Sequence, residues 1–347
     1  MQFIEVDKIG SATSPLNLSK IVSVISEYDS PAAGDVVVVK ALGESVTYGN
    51  LELSSGRLAK ISRNDVLLGV LGKRRALKGF VGDIPEAIKA GDKLHLLNMG
   101  GLIGVCKGHH SSLSDAIEVE VLGIVCDENR AVLNIADNAL LPSDFLKSSA
   151  PIVVIAGTSM NSGKTVAATE IIKQATHAGL KVAGAKMSGV ACLRDTLNMQ
   201  DHGAIATASF LDCGLPSTVG IEDLAPTAKA ILNHLNTVAP DLIVVELGDG
   251  IIGGYSVDSI LKDSEIREAT SVFVFCASDY VGVVGGITVL KNLGIKIDVI
   301  AGSVTDSQMG EDFVQSEYGL NAGNARRNGL RLFELIDFAR QKEWAAA

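Results

Sequence analysis

The chain has 347 residues, 47 % of them hydrophobic and 20 % charged. That is enough apolar material for the cores of about two domains, so disorder is excluded as a description of the whole. Thirty Lys and Arg against 40 Asp and Glu leave a net charge of −10, which removes any general attraction to nucleic acid or anionic lipid. An anion bound here must be held by a local device.

The chain opens Met1-Gln2-Phe3-Ile4-Glu5-Val6-Asp7, without the basic start and apolar run of a signal peptide. No stretch approaches the roughly 20 apolar residues that cross a bilayer. Up to about Ala150 the segments are short and alternate in polarity, as in Asp35–Leu42, Asn50–Leu53, Asp65–Val70, Lys93–Leu97 and Ile117–Val125. Strand-plus-turn signals at this spacing predict a small β-barrel or sandwich over residues 1–147. Ala33-Gly34-Asp35 and Ala90-Gly91-Asp92 precede two of these strands, as a duplication or a common turn would. Cys106, Cys126, Cys192, Cys213 and Cys276 share no repeated short spacing and read as reduced thiols in a cytoplasmic protein. Cys106 with His109, His110 and Cys126 hints at zinc, but a second tight ligand pair is missing and a polar turn is expected. Lys73-Arg74-Arg75 reads as a solvated face or a contact to an anionic substrate, and Asn321–Arg327, with two arginines, could serve the same end.

From Pro151 onward strands and helices alternate. Ile152–Ala156, Lys181–Lys186, Leu242–Val245, Val272–Phe275 and Ile297–Ala301 are candidate buried strands. Lys164–Ala178, Asp201–Leu211, Ala225–Asn236 and Ala325–Gln341 are candidate helices. Such alternation predicts an α/β domain over 148–347, a parallel sheet covered on both faces.

Between the first strand and helix lies Gly157-Thr158-Ser159-Met160-Asn161-Ser162-Gly163-Lys164-Thr165, the context of a Walker A phosphate loop. Successive backbone N–H groups make a nest for phosphate oxygens, and the helix dipole points at the same anion. These residues with Val166 are expected to bind nucleotide. Lys164 would reach the β- and γ-phosphates and Thr165 would bind Mg²⁺. The usual Gly-x4-Gly-Lys-Thr spacing would put the first glycine at 158, where this chain has Thr.

The variant loop resembles that of dethiobiotin synthetases and of cobyrinic and cobyric acid synthetases, members of the SIMIBI branch of P-loop proteins. The resemblance covers about residues 151–310 and implies a Rossmann-like P-loop sheet. It also implies an activity in which ATP phosphorylates a carboxylate or carbamate that is then attacked by nitrogen or closed into a ring. Asp241-Leu242-Ile243-Val244-Val245-Glu246 resembles the strand of these families that ends in Glu before a glycine-rich turn, with Leu247 intervening here before Gly248-Asp249-Gly250. A carboxylate at the carboxyl end of a parallel strand sits beside the phosphate loop, and Mg²⁺ takes hard oxygen ligands. Glu246 with Thr165 fits that arrangement, and Asp249 could share the role. Lys186-Met187-Ser188-Gly189 resembles a Lys-Pro-x-x-Ser-Gly segment, implying that Lys186 neutralises charge on a transferred phosphoryl group. Asp195 and Asp201 divide between metal binding and structure. Asp201 reads as the cap of a helix beginning at His202.

The loop Ile300–Asp306 is where a base would be read, with Thr305 and Asp306 the candidates. A carboxylate accepts from guanine N1–H and N2–H₂, which leaves ATP and GTP both open. Ser278-Asp279-Tyr280 borders the substrate or caps a helix.

The expected function is ATP- and Mg²⁺-dependent activation of a small carboxylate by phosphoryl transfer, with Lys164, Lys186 and Glu246 catalytic. The alternative is a nucleotide-switched GTPase or ATPase adaptor or metallocofactor-assembly module. A third resemblance is to P-loop proteins with a Gly-Thr-Asp loop, some linked to acyl transfer onto amino acids, whose Gly-Gln-Thr-Gly segment this chain lacks. The expected partners are a small anionic substrate and, as one option, a second copy of the chain, with no nucleic acid and no membrane.

Overall fold

The structure, a computed structural model, describes residues 2–344, with the side chains of the last helix described through Asp337. The chain groups into two compact units. The first comprises Met1–Leu140, Val190–Arg194 and Phe210–Val219, and the second Leu141–Gly189, Asp195–Ser209 and Gly220–Ala347.

In the first unit, strands Val36–Ala41, Val66–Leu71, Leu102–His109, Lys93–Asn98 and Glu118–Val125 form a closed ring, because Lys93–Asn98 pairs with both of its neighbours. The β-rich region is therefore a barrel. Alternation drives the closure. Val37, Val39, Leu67, Leu96, Ile103 and Val121 point to one core. Val36, Val38, Leu68, Val70 and Leu102 point to another, which also takes Ala191, Phe210 and Leu211. Buried on both faces, Val36–Val39 has no polar side, which explains the run of four valines.

Three turns of the barrel share one chemistry. Asp35, Asp65 and Asp92 each accept, through Oδ2, the N–H of the residue three before, at 2.7, 2.6 and 2.9 Å. The residue before each Asp is left-handed: Gly34 (φ +91°), Asn64 (φ +72°) and Gly91 (φ +91°). The Ala-Gly-Asp likeness is thus a turn used three times, in which Gly or Asn supplies the positive φ and Asp locks it.

The second unit holds a seven-stranded parallel sheet. Its order is Ala206–Ser209, Val182–Lys186, Leu242–Glu246, Ile152–Gly157, Thr270–Cys276, Val299–Ala301 and Asn321–Ala322. Val153 and Ile155 face helices Lys164–His177 and Ala325–Trp344. Val154 faces the other way, toward Ile260, Leu261 and Ile266 of two short helices. Helices therefore cover both faces, as a fully apolar central strand requires. The chain runs outward on one side of Ile152–Gly157, returns, and runs outward on the other. This places the carboxyl end of that strand at the switch point where such sheets bind ligands.

One expectation is corrected and one alternative is decided. The helix near Asp201 runs Arg194–Asp201 and ends there. Gly203, at φ +103°, supplies the left-handed stop that ends a helix, and Ala206–Ser209 is an edge strand rather than helix. Asp279 is a helix cap, accepting the N–H of Gly282 at 2.7 Å. Among the described residues no helix is long and apolar enough to cross a membrane.

The expected boundary at 147/148 falls in a segment that is tied to the second unit. Ser143 N–H donates to Pro226 O at 3.0 Å, Lys147 N–H to Asn233 Oδ1 at 2.9 Å and Ala150 N–H to Asn236 Oδ1 at 2.9 Å.

Candidate functional site

The phosphate loop leaves Ile152–Gly157 and enters the helix that begins at Lys164. Two left-handed residues, Asn161 (φ +63°) and Gly163 (φ +101°), turn its backbone so that successive N–H groups can converge. A Cβ on Gly163 would stand 2.9 Å from Gly302 Cα, and one on Gly302 2.2 Å from Ser162 O. These two glycines let the phosphate loop and the loop after Val299–Ala301 touch backbone to backbone. Thr158, at the usual glycine position, is held by a hydroxyl–hydroxyl contact with Ser278 at 3.0 Å.

Lys164 is buried and turned back into its own loop, donating to Ser159 O at 2.8 Å. Burial, reinforced by the charge of Lys186, pushes its pKa down, while Glu246, Cys276 and Asp249 act against this. An ammonium held at such a cost favours an incoming anion.

Across the sheet, Thr165 donates its hydroxyl to Glu246 Oε1 at 2.9 Å. Lys186 meets the same oxygen at 2.7 Å and Asp195 Oδ2 at 2.9 Å. Burial alone would lower the Lys186 pKa, but the Asp195 and Glu246 carboxylates outweigh it and raise it well above the ordinary value. Glu246 is 1 % exposed, and its Oε2 is buried without a hydrogen-bond partner. The structure thus brings together Lys164, Thr165, Lys186, Asp195 and Glu246. Asp201 lies at the far end of the Arg194–Asp201 helix, exposed, roughly 9 Å from Asp195 along the helix axis at about 1.5 Å per residue.

Asp249 is more deeply engaged than the sequence suggested. Its backbone is left-handed (φ +64°) and its carboxylate accepts the N–H of Met160 in the phosphate loop. Burial raises its pKa, against the pull of Lys164 and Lys186. A carboxylate whose folded pKa lies above its unfolded value contributes stability that is complete at low pH and lost as pH rises through the folded pKa. Asp249→Asn is therefore expected to raise the melting temperature at neutral pH. The gap should close as pH falls below the carboxylate range. Thermal melts across that range check this, and a lower melting temperature at neutral pH would contradict it. The Cys276 thiol at the end of the neighbouring strand is pushed up to about 12 by burial.

In the base-side loop, Thr305 is fully buried and its hydroxyl donates to Gly302 O at 2.8 Å, a structural role. Asp306 is half-exposed, and its Oδ1 receives Asn324 Nδ2 at 2.9 Å. Asn324, buried and missed by sequence reasoning, also donates to Thr305 Oγ1 at 3.0 Å. Arg327 donates to Thr305 O at 3.2 Å and to Glu311 at 3.3 Å. That arginine therefore braces this loop, and the one legible signal was a short polar segment after a strand.

Among the described residues no cluster of three or more His, Cys, Asp or Glu side chains is arranged to hold a metal. A hydroxyl and one buried carboxylate suit Mg²⁺, which takes few protein ligands and leans on phosphates.

No protein-family model and no curated relative matches the chain. Among solved structures it is similar to chloroplast FtsY from Physcomitrella patens, at 13 % identity and a TM-score of 0.39, over 56 % of this chain and 66 % of that one. It is similar to the 54 kDa signal recognition particle protein of Aeropyrum pernix K1, solved in complex with GDP, at 16 % identity and a TM-score of 0.37, over 61 % and 54 %. It is also similar to a DUF1611 family protein from Anabaena variabilis, at 14 % identity and a TM-score of 0.39, over 59 % and 63 %. The chain spans less than two thirds of each of these proteins. The P-loop fold rests on the strand–loop–helix geometry above.

Proposed function

We propose that the parallel-sheet unit binds a nucleoside triphosphate with Mg²⁺ and hydrolyses it slowly, as a nucleotide-switched module. The observation that carries this reading is Glu246. One of its oxygens takes both the Thr165 hydroxyl and the Lys186 ammonium, and the other is buried with nothing to bond. Such an orphan is costly unless a ligand satisfies it, and its chemistry fits Mg²⁺ shared with Thr165. Bound there, Mg²⁺ would supply charge neutralisation for the phosphates. Lys164 would leave Ser159 O for a phosphate oxygen, and the loop N–H groups would hold the remainder. Lys186 would be drawn from its two carboxylates toward the terminal phosphate.

Lys186 makes this a switch. Asp195, its second partner, follows Val190–Arg194, which belongs to the barrel unit. There Leu193 N–H donates to Glu52 at 2.7 Å, and Ala191 O accepts from Asn98 at 3.2 Å. Release of Asp195 by Lys186 would therefore pass directly along the chain into residues packed with the barrel. Asp306 supports guanine over adenine, since its carboxylate can accept from two adjacent guanine donors.

Glu246→Gln is expected to lower Mg²⁺-stimulated turnover by about 100-fold, the usual loss when one preorganised electrostatic group is removed, while Mg²⁺-free nucleotide binding changes little. Turnover equal to the parent chain would sink the assignment.

A second reading is phosphoryl transfer to a small carboxylate, as in the dethiobiotin synthetases the loop resembles, supported by Lys186 at the carboxyl end of its strand. The two readings part in a metabolite screen. An enzyme of that kind shows substrate-dependent ADP release well above its basal rate, and a switch does not.

A further inference from the structure

Arg74 is the most unusual residue of the barrel unit. It is 3 % exposed. One terminal nitrogen donates to Leu97 O and the other to the Tyr48 hydroxyl at 2.6 Å. The Tyr48 ring lies over the guanidinium with its centroid 4.8 Å away. Its Nε is buried with no partner. The nearby carboxylate of Asp83 is taken by Arg75 at 2.5 Å, and Arg74 forms no ion pair among the described residues. A buried guanidinium without a counter-charge is rare because desolvation is not compensated. Its surroundings are basic too. Lys73, Arg75 and Lys78 flank it in sequence against the single Asp83, in a chain of net charge −10.

Arg74 is covered by Tyr48, whose ring also meets Phe80 with centroids 5.5 Å apart. Tyr48 is only half-buried and sits at φ +52°, a region that bulky residues avoid. It belongs to the polar loop Gly43–Gly49, which is held by hydroxyl contacts. Ser45 and Ser114 meet through their hydroxyls at 2.8 Å, and Thr47 and Ser114 at 2.9 Å. On the other side of Arg74, Gly79 lets the backbone approach the guanidinium closely, since a Cβ there would stand 3.0 Å from its terminal nitrogen.

We propose that Arg74 is the floor of an oxyanion-binding site in the barrel, closed by Tyr48, that takes a small phosphate- or carboxylate-bearing dianion. The planar guanidinium matches both groups in a two-pronged hydrogen bond. The entering anion would displace the Tyr48 hydroxyl and supply the missing counter-charge, with Lys73 or Lys78 beside it.

The test is calorimetric titration of the full chain with inorganic phosphate and, separately, succinate, in chloride buffer. Lys164→Ala is used as the parent so that the phosphate loop takes no part. Binding of either anion at millimolar concentration or below is expected, and the better ligand identifies the source of the oxyanion. Arg74→Met should weaken it about tenfold or more, the value of one charge-assisted bond. Tyr48→Phe should tighten it, because it removes the hydroxyl that competes for Arg74 and keeps the ring. If Arg74→Met does not fold, as read by circular dichroism, Tyr48→Phe decides, and unchanged affinity there overturns the proposal. No binding of either anion to the parent, or equal binding by a folded Arg74→Met, overturns it as well.

Discussion

Lys164→Ala is expected to abolish the rise in melting temperature that a nucleoside triphosphate with Mg²⁺ gives the parent chain. The apo melting temperature should be unchanged or higher. Both halves follow from the same burial. Without an anion, the Lys164 ammonium hydrogen-bonds, among the described residues, only to Ser159 O and the Ser162 hydroxyl, at 2.8 and 3.5 Å, and burial holds its pKa down despite the pull of Glu246 and Asp249. Deleting it removes an unfavourable charge and leaves one carbonyl to find water. With a phosphate present, the lysine is one half of a desolvated charge pair. Truncating such a partner costs about 2–5 kcal/mol, roughly 30- to 5,000-fold in affinity. Ligand stabilisation scales with the logarithm of concentration over Kd, so the shift falls toward zero at ordinary nucleotide concentrations. An equal shift in the variant and the parent would remove the nucleotide assignment, and so would no shift in either.

The second large effect concerns stability. Lys229 is buried, 7 % exposed, between Asp263 at 2.8 Å and Glu265 at 2.5 Å, and it donates to Asp144 O at 3.2 Å. Its partners have other duties. Asp263 caps the following helix through the N–H of Ile266 at 3.0 Å, and Glu265 accepts the N–H of Leu146 at 3.3 Å. One ammonium therefore ties the incoming segment to two helices. Lys229→Ala leaves two carboxylates without their cation, and because Asp263 is 15 % and Glu265 40 % exposed water screens them in part, so the loss is about 1–3 kcal/mol. For a unit of this size that is on the order of 5 °C in melting temperature. Hydrogen exchange at Ser143–Ala150 should accelerate alongside. A change of a degree or less, with exchange there unaltered, would show that the apolar contacts of this segment suffice.

Both predictions rest on residues whose legibility differed. Lys164 could be read directly. The phosphate loop is a local device of nine consecutive residues between a strand and a helix, and spacing alone carries its chemistry. Glu246 was legible as the last residue of an apolar strand. Thr165, 81 positions away, was named with it as a Mg²⁺ ligand, but the direct bond from Lys186, 60 positions away, was not legible, because only the order of parallel strands places the three side by side. The helix at Asp201 was misplaced for a different reason. Asp-His-Gly reads as a start if Asp is taken as a cap and as a stop if Gly is taken as the left-handed terminator, and the packing of Arg194–Asp201 decides for the stop. Lys229 gave no signal at all, since a lysine within a helix is ordinarily solvated.

The sequence by itself determined the alternation of a barrel or sandwich in one unit and of a covered parallel sheet in the other, and it determined the phosphate loop. Those depend on period and on neighbouring residues, which any segment carries with it. Only the tertiary structure decided that Lys186 is shared by Glu246 and Asp195, that Asp249 caps the phosphate loop, that Gly163 and Gly302 meet, and that Arg74 lies buried without a counter-charge. Each is a meeting of side chains or backbone that are distant in the chain. Its energy comes from desolvation and close approach, and neither exists until the strands have paired.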